Sequence, residues 1–154
     1  MNKTQVEKCA VRPTTLSDQP EIIRLMKQYY DFYQVAHPEE KKIKTLLNTL
    51  VSHPERGVQF IAKINEISVG FATLYSTFSS LQAQPAMVMN DLFVDPKYRK
   101  KGVGEALYQC CRTFTKENGY AFMEWVTAND NIIAQRFYEK QGAKRSMWIS
   151  YSID

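Results

Sequence analysis

The stretch LFVDPKYRKKGVGEAL, Leu92 to Leu107, decides how the rest of the chain is read. It begins apolar and aromatic, as a buried strand does, and Asp95-Pro96 stops it. Arg99, Lys100 and Lys101 follow in a row, and then Gly102 and Gly104 flank Val103. Beyond them Val103, Ala106, Leu107, Cys110, Cys111 and Phe114 recur at helical spacing until Gly119 closes the run. A strand, a basic glycine turn and an amphipathic helix therefore adjoin. A charge run is ordinarily a solvated turn and nothing more. Here, however, the first turn of the helix carries backbone N–H groups without intrahelical partners, and the helix dipole adds partial positive charge. Glycines let an anion approach those amides, and three cations strengthen the field. Arg99, Lys100, Lys101, Gly102, Val103, Gly104 and Glu105 are thus expected to cradle a phosphate group.

Two other phosphate turns do not fit. The G-x-x-x-x-G-K-[ST] loop is absent, and Leu107 occupies the third glycine position of G-x-G-x-x-G. Glu124 lies twenty residues past Gly104, where a ribose-binding acid would stand. A dinucleotide fold, though, begins with its glycine turn, and here the turn comes late in the chain.

Working outward, Val6 to Arg12 reads as a first strand ended by Pro13. Asp18 and Glu21 read as a capping box, opening a helix that Ile22, Leu25, Met26, Tyr29 and Tyr33 carry to about Gln34. Glu39 to Val51 reads as a second helix with Ile43, Leu46, Leu47 and Leu50 inward. The period then switches to two. Val58 to Ile64 and Ile67 to Thr77 form a hairpin turned at Asn65-Glu66, Ser79 to Pro85 is a loop, and Ala86 to Val94 is a third strand. Ala121 to Thr127 reads as a strand, Asp130 to Gln141 as a helix, and Ala143 to Ile153 as a last strand or hairpin. The expected fold class is α/β: a mixed, mostly antiparallel central sheet flanked by about four helices. Residues 1–154 read as a single domain.

Composition sets the outer limits. The chain has 154 residues, 44% of them hydrophobic, which suffices for one buried core. No apolar run approaches the roughly 20 residues that cross a bilayer. MNKTQVEKCAVRP lacks the apolar centre of a signal peptide, so a cytoplasmic location is expected. The three cysteines, Cys9, Cys110 and Cys111, have no metal-type spacing, which suits a reduced protein with no metal site. A net charge of +4 suits an anionic small molecule. It would equally suit weak nucleic-acid contact, but no recognition motif for nucleic acid is visible.

Arg99-Lys100-Lys101-Gly102-Val103-Gly104 resembles the R/Q-x-x-G-x-G/A pyrophosphate loop of the GNAT superfamily of acetyl-CoA-dependent N-acetyltransferases. Asn131, Ala134, Phe137, Tyr138 and Gly142-Ala143 resemble that family's second signature, and Asp91 to Pro96 resembles its strand before the loop. Val69-Gly70-Phe71-Ala72 is similar to the diamine (spermidine/spermine) acetyltransferase-like branch. The resemblance implies acetyl-CoA as co-substrate, with its pyrophosphate on Arg99 to Glu105 and its pantetheine arm along Leu92, Phe93 and Val94. It also implies an amide near Leu92 that polarises the thioester carbonyl. It gives Tyr138 the role of proton donor to the departing sulfur, beside Asn131 and Ala134 on the cofactor's side. Asp91 is the expected base, acting directly or through water, and Glu124 the second choice. Asn90 stands where relatives of the diamine branch carry a glutamate, and it cannot accept a proton. Tyr30, Asp31 and Gln34 are expected substrate contacts. The acceptor is expected to be a small primary amine such as a polyamine or amino acid, and a homodimer through Trp148 and Tyr151 follows family habit. Two alternatives stay open: acetylation of a protein lysine or N-terminus, and a non-catalytic acyl-CoA-binding module.

Overall fold

Period-two alternation in the middle of the chain builds the sheet, and the two kinds of helix cover its two faces. The computed structural model describes residues 8–154. Its strands are β1 Cys9–Pro13, β2 Gly57–Ile64, β3 Ile67–Ser79, β4 Gln84–Val94 and β5 Met123–Glu124. Its α-helices are α1 Gln19–Phe32, α2 Glu40–Ser52, α3 Val103–Glu117 and α4 Ile132–Lys140. The strands lie side by side in chain order; the first three pairings are antiparallel and β4 with β5 is parallel. The parallel pair is crossed over by α3, as a parallel connection requires. This is the mostly antiparallel α/β fold expected.

Alternation sends side chains to two separate cores. Phe60, Ala62, Leu74, Met87 and Met89 pack with Val103, Leu107 and Cys111 of α3. On the other face Ile61, Phe71 and Phe93 pack with Ile22, Leu25 and Met26 of α1 and Ile43 and Leu47 of α2. The β2–β3 hairpin turns at Asn65 and Glu66, both with positive φ, the backbone of a type I′ turn.

Three local expectations need correction. Asp18 does not share a capping box with Glu21: Arg12 donates to both of its oxygens at 2.7 and 2.8 Å, and the Thr15 amide adds a bond at 2.8 Å. A guanidinium with two matched donors outcompetes a distant cap. Leu46 is 37% exposed, on the outer rim of α2. No strand forms between residues 143 and 154, and β5 is two residues long. The residues of the expected first strand before Lys8 lie outside the described residues.

Candidate active site

The glycine turn takes the form that anion binding needs. Gly102 caps α3 at φ +79°, and Lys100 also has positive φ, at +62°. Ala106 makes the first intrahelical bond, to the Gly102 carbonyl at 3.0 Å, so the amides of Val103, Gly104 and Glu105 lie ahead of the helical ladder. Left-handed residues on either side of Lys101 curve the backbone into a concave row of N–H groups. Gly104 faces Val94 and Phe137; a methyl placed there would meet them at 3.8 and 3.9 Å, ordinary contact. Arg99 folds away from the turn. Its Nε donates to the Val94 carbonyl at 3.1 Å, and its guanidinium lies over the rings of Phe32 and Phe93.

Strand β4 leads into this turn with one edge open. β5 pairs with it only at Met87 and Val88, so among the described residues no strand pairs with Met89 to Val94 on that side. The Asp95 amide donates to the Val69 carbonyl at 2.8 Å, on the β3 side. Alternation then turns the amides of Phe93 and Asp91 to β3 and those of Leu92 and Val94 to the open edge. An extended molecule carrying amides can add there as a strand does.

One residue decides which face Asp91 joins. Asp91 pairs with Thr73, but Met89 pairs with Leu74, so Asn90 has no opposite number. This bulge reverses the alternation: Met87 and Met89 face α3, whereas Asp91 and Phe93 face α1. Asp91 is 8% exposed. Burial raises its pKa, while hydrogen bonds from Thr73, Tyr29 and Asn90 pull the other way and do not cancel it. Asn90 Nδ2 donates at 3.1 Å. Gln59, also buried, donates to Thr73 Oγ1 at 3.1 Å, so a polar chain runs beneath the carboxylate. The phenols of Tyr29, Tyr30, Tyr33 and Tyr75 all feel the Asp91 charge, and burial raises the pKa of each.

Tyr138 reaches the same region from α4. Its ring lies 5.1 Å from that of Trp125 and 5.5 Å from that of Phe137, and it interacts electrostatically with Tyr33. Burial pushes its pKa up to about 12. Tyr33, whose ring lies 4.9 Å from that of Tyr29, thus feels the Asp91 charge and in turn acts on Tyr138. Asn131 spends its side-chain oxygen as the helix cap, accepting from the Ala134 amide at 3.2 Å. Ala134 is half-buried on the next turn.

Other expected residues do not hydrogen-bond Asp91, whose side-chain partners are Thr73, Tyr29 and Asn90. Glu124 is exposed on β5, opposite Val88. Asp31 lies 2.6 Å from His37 Nε2, and Gln34 is exposed just past α1 at φ +54°. Tyr30 does join the group, 6.0 Å from Tyr29 and 5.6 Å from the His37 ring. Thr73 and Tyr75 escaped the sequence reading as site residues; a threonine and a tyrosine spaced by two in an apolar strand were the available signal. Val69, Phe71 and Ala72 are fully buried, so the similarity there reports packing. Cys110 and Cys111 serve the core, with thiol pKa values raised by burial. Among the described residues, no group of three His, Cys, Asp or Glu is placed to hold a metal, and no helix is long and apolar enough to cross a membrane.

Known proteins place this geometry. Residues 22–143 match the model of the Acetyltransferase (GNAT) family. The uncharacterized N-acetyltransferase YhfO of Bacillus subtilis is 33% identical over 132 residues, 86% of this chain and 87% of that protein. L-ornithine N5-acetyltransferase NATA1 of Arabidopsis thaliana is 28% identical over 95 residues, 61% of this chain and 42% of that protein. A crystal structure described as a probable acetyltransferase superposes with a TM-score of 0.83 at 25% identity, covering 94% of this chain and 97% of its own. The glycine turn and the helix bearing Tyr138 both fall inside the matched region, and the chain is an N-acetyltransferase of the GNAT family.

Proposed function

We propose that the protein moves the acetyl group of acetyl-CoA to a primary amine of a small molecule, by direct attack in a ternary complex. The observation that carries this reading is the left-handed glycine turn at the head of α3, fed by a strand β4 that β5 pairs with only at Met87 and Val88. The residues present suit acetyl-CoA. The concave amides from Lys100 to Glu105 would hold its pyrophosphate, with the Lys100 and Lys101 side chains adding charge. Leu92, Phe93 and Val94 would hold the pantetheine arm, and the outward Leu92 amide is the donor for the thioester carbonyl. Asn131 and Ala134 would line the arm from α4.

The chemistry then divides between two groups. An ammonium gives up a proton to Asp91, directly or through water, and its nitrogen attacks the acetyl carbon. As the carbon–sulfur bond breaks, Tyr138 donates its proton to the sulfur, and the second N–H proton shed as the amide forms returns to the Tyr138 phenolate through water; a phenol with a pKa near 12 is protonated again before the next turnover. Asp91 suits its part because burial raises its pKa and brings it nearer working pH. Glu124, on the adjoining strand, is the alternative acceptor of the proton. Tyr30, Asp31 and Gln34 would border the amine.

Thiol release from acetyl-CoA across an amine panel tests this. Turnover with a free amine at low KM supports it; turnover only on peptide amines would favour a protein acceptor. Acetyl-CoA binding without turnover on any acceptor would favour the non-catalytic module. The homodimer belongs to the same proposal: Met147, Trp148, Ile149, Tyr151 and Ile153 are each at least 77% exposed, an apolar row that a second copy would cover. Sedimentation of wild type against Trp148→Ser measures that.

A further inference from the structure

We infer, resting on that acetyl-transfer reading, that the acceptor is a singly charged primary amine carried on an aromatic or similarly flat apolar body. One buried carboxylate marks where the charge goes. Asp91 already accepts from Thr73, Tyr29 and Asn90, which leaves it capacity for about one more donor of the four a carboxylate can take. An ammonium supplies that donor.

Rings make up the surroundings. Tyr29 is the hub, with centroids 4.9 Å from Tyr33, 6.0 Å from Tyr30 and 5.9 Å from Phe93. Tyr30 extends the wall to His37. Tyr75 follows Thr73 by two along β3, so both stand on the face that Asp91 joins. Its phenol interacts with both Asp91 and Tyr30. Tyr30, Tyr33 and Tyr75 keep part of their surface open, so this wall is available to a small molecule. Phenol faces attract a cation and stack against a flat body.

A second positive centre finds little there. Asp31 is taken up by His37, and Glu40 by Lys27 and Lys44 at 3.4 and 3.0 Å. Asp95, two residues past Phe93 on this side, is paired with Arg24 of α1 at 3.7 Å; Glu124 is a further carboxylate that register puts on this face, in the row of Tyr75 and Val88. A diamine spanning Asp91 and Glu124 is therefore the rival to be measured.

The test compares thiol release with phenethylamine, tyramine, n-butylamine, 1,4-diaminobutane and spermidine, using wild type, Tyr30→Leu, Tyr30→Phe and Tyr75→Leu. Calorimetry gives the acetyl-CoA affinity of each. Wild-type kcat/KM should favour phenethylamine over n-butylamine and the diamine by about tenfold. That ratio should collapse in Tyr30→Leu or Tyr75→Leu and persist in Tyr30→Phe, with acetyl-CoA affinity unchanged throughout. Preference for 1,4-diaminobutane or spermidine, or a ratio untouched by both leucine variants, overturns the inference and leaves acetyl transfer standing. Silence with every amine, although acetyl-CoA binds, removes both.

Discussion

Tyr29 of α1 donates its phenol hydrogen to the carboxylate of Asp91 in β4, a contact that exists because the bulge at Asn90 turns Asp91 toward α1. Without that extra residue, Asp91 would follow Met87 and Met89 into the apolar core under α3. The bond joins α1, proposed to border the acceptor, to β4, proposed to border the cofactor, and the predictions below start from it.

Asp91→Asn separates function from stability. It removes a buried charge but keeps the shape and a hydrogen-bonding oxygen, so the thermal midpoint is expected to hold or rise. Turnover should fall about 100-fold or more. The sign with pH follows from the raised pKa: stability from the protonated form is present at acid pH and lost as pH climbs through the shifted value. Activity needs the carboxylate and rises over that same window, above the ordinary aspartate range. A denaturation series with pH, run beside kcat/KM, checks both; a midpoint several degrees lower in the variant would contradict the account.

Tyr138→Phe tests the proton donor. The ring and its contact with Trp125 survive, so acetyl-CoA affinity should be unchanged while kcat drops about 100-fold. Because the pKa of Tyr138 is pushed to about 12, wild-type kcat should show no loss from this group below about pH 10. Equal kcat in the two proteins would show that the sulfur is protonated by something else.

Glycines in the turn should respond differently. Gly102→Ala forces a side chain into left-handed backbone, costing about 1–2 kcal/mol, although no atom crowds the site. Gly104→Ala meets only ordinary contacts with Val94 and Phe137 and should leave the midpoint within about 0.5 kcal/mol. Calorimetric unfolding distinguishes them, and equal losses would mean the two positions are not told apart by backbone conformation.

Asp18→Asn should cost about 1–2 kcal/mol, modest because Arg12 is 45% exposed and water screens part of the attraction. The Asp18 carboxyl is held well below the usual range, first by the Arg12 hydrogen bonds. Its contribution is therefore present above the unfolded value near 3.9 and lost as pH falls below it. Wild type and variant should converge in stability toward pH 2. A constant difference across pH 2–7 would remove the ion pair as the cause.

Local chemistry was legible along the chain. The stripe from Val103 to Phe114 demanded a helix, the alternation from Val58 to Val94 demanded a meander, and Gly102 before that stripe marked the turn that opens the helix. All of these depend on neighbours within a few residues, where period and backbone preference act. Asn131, Ala134 and Tyr138 were placed on one helix by the same arithmetic.

Long-range relationships were not legible. Nothing near Asn90 announces a bulge, since the extra residue exists only relative to β3, and that register alone brings Asp91 beneath Tyr29 and Thr73. Nor does the alternation of Ile149, Tyr151 and Ile153 with Ser150 and Ser152 make a strand, because a strand exists only when it pairs and residues 143–154 pair with none. The chain by itself determined which segments curl and which extend, and where a glycine turn joins the two. Only the folded sheet decided which acid faces the tyrosines, because facing depends on register between strands distant in sequence.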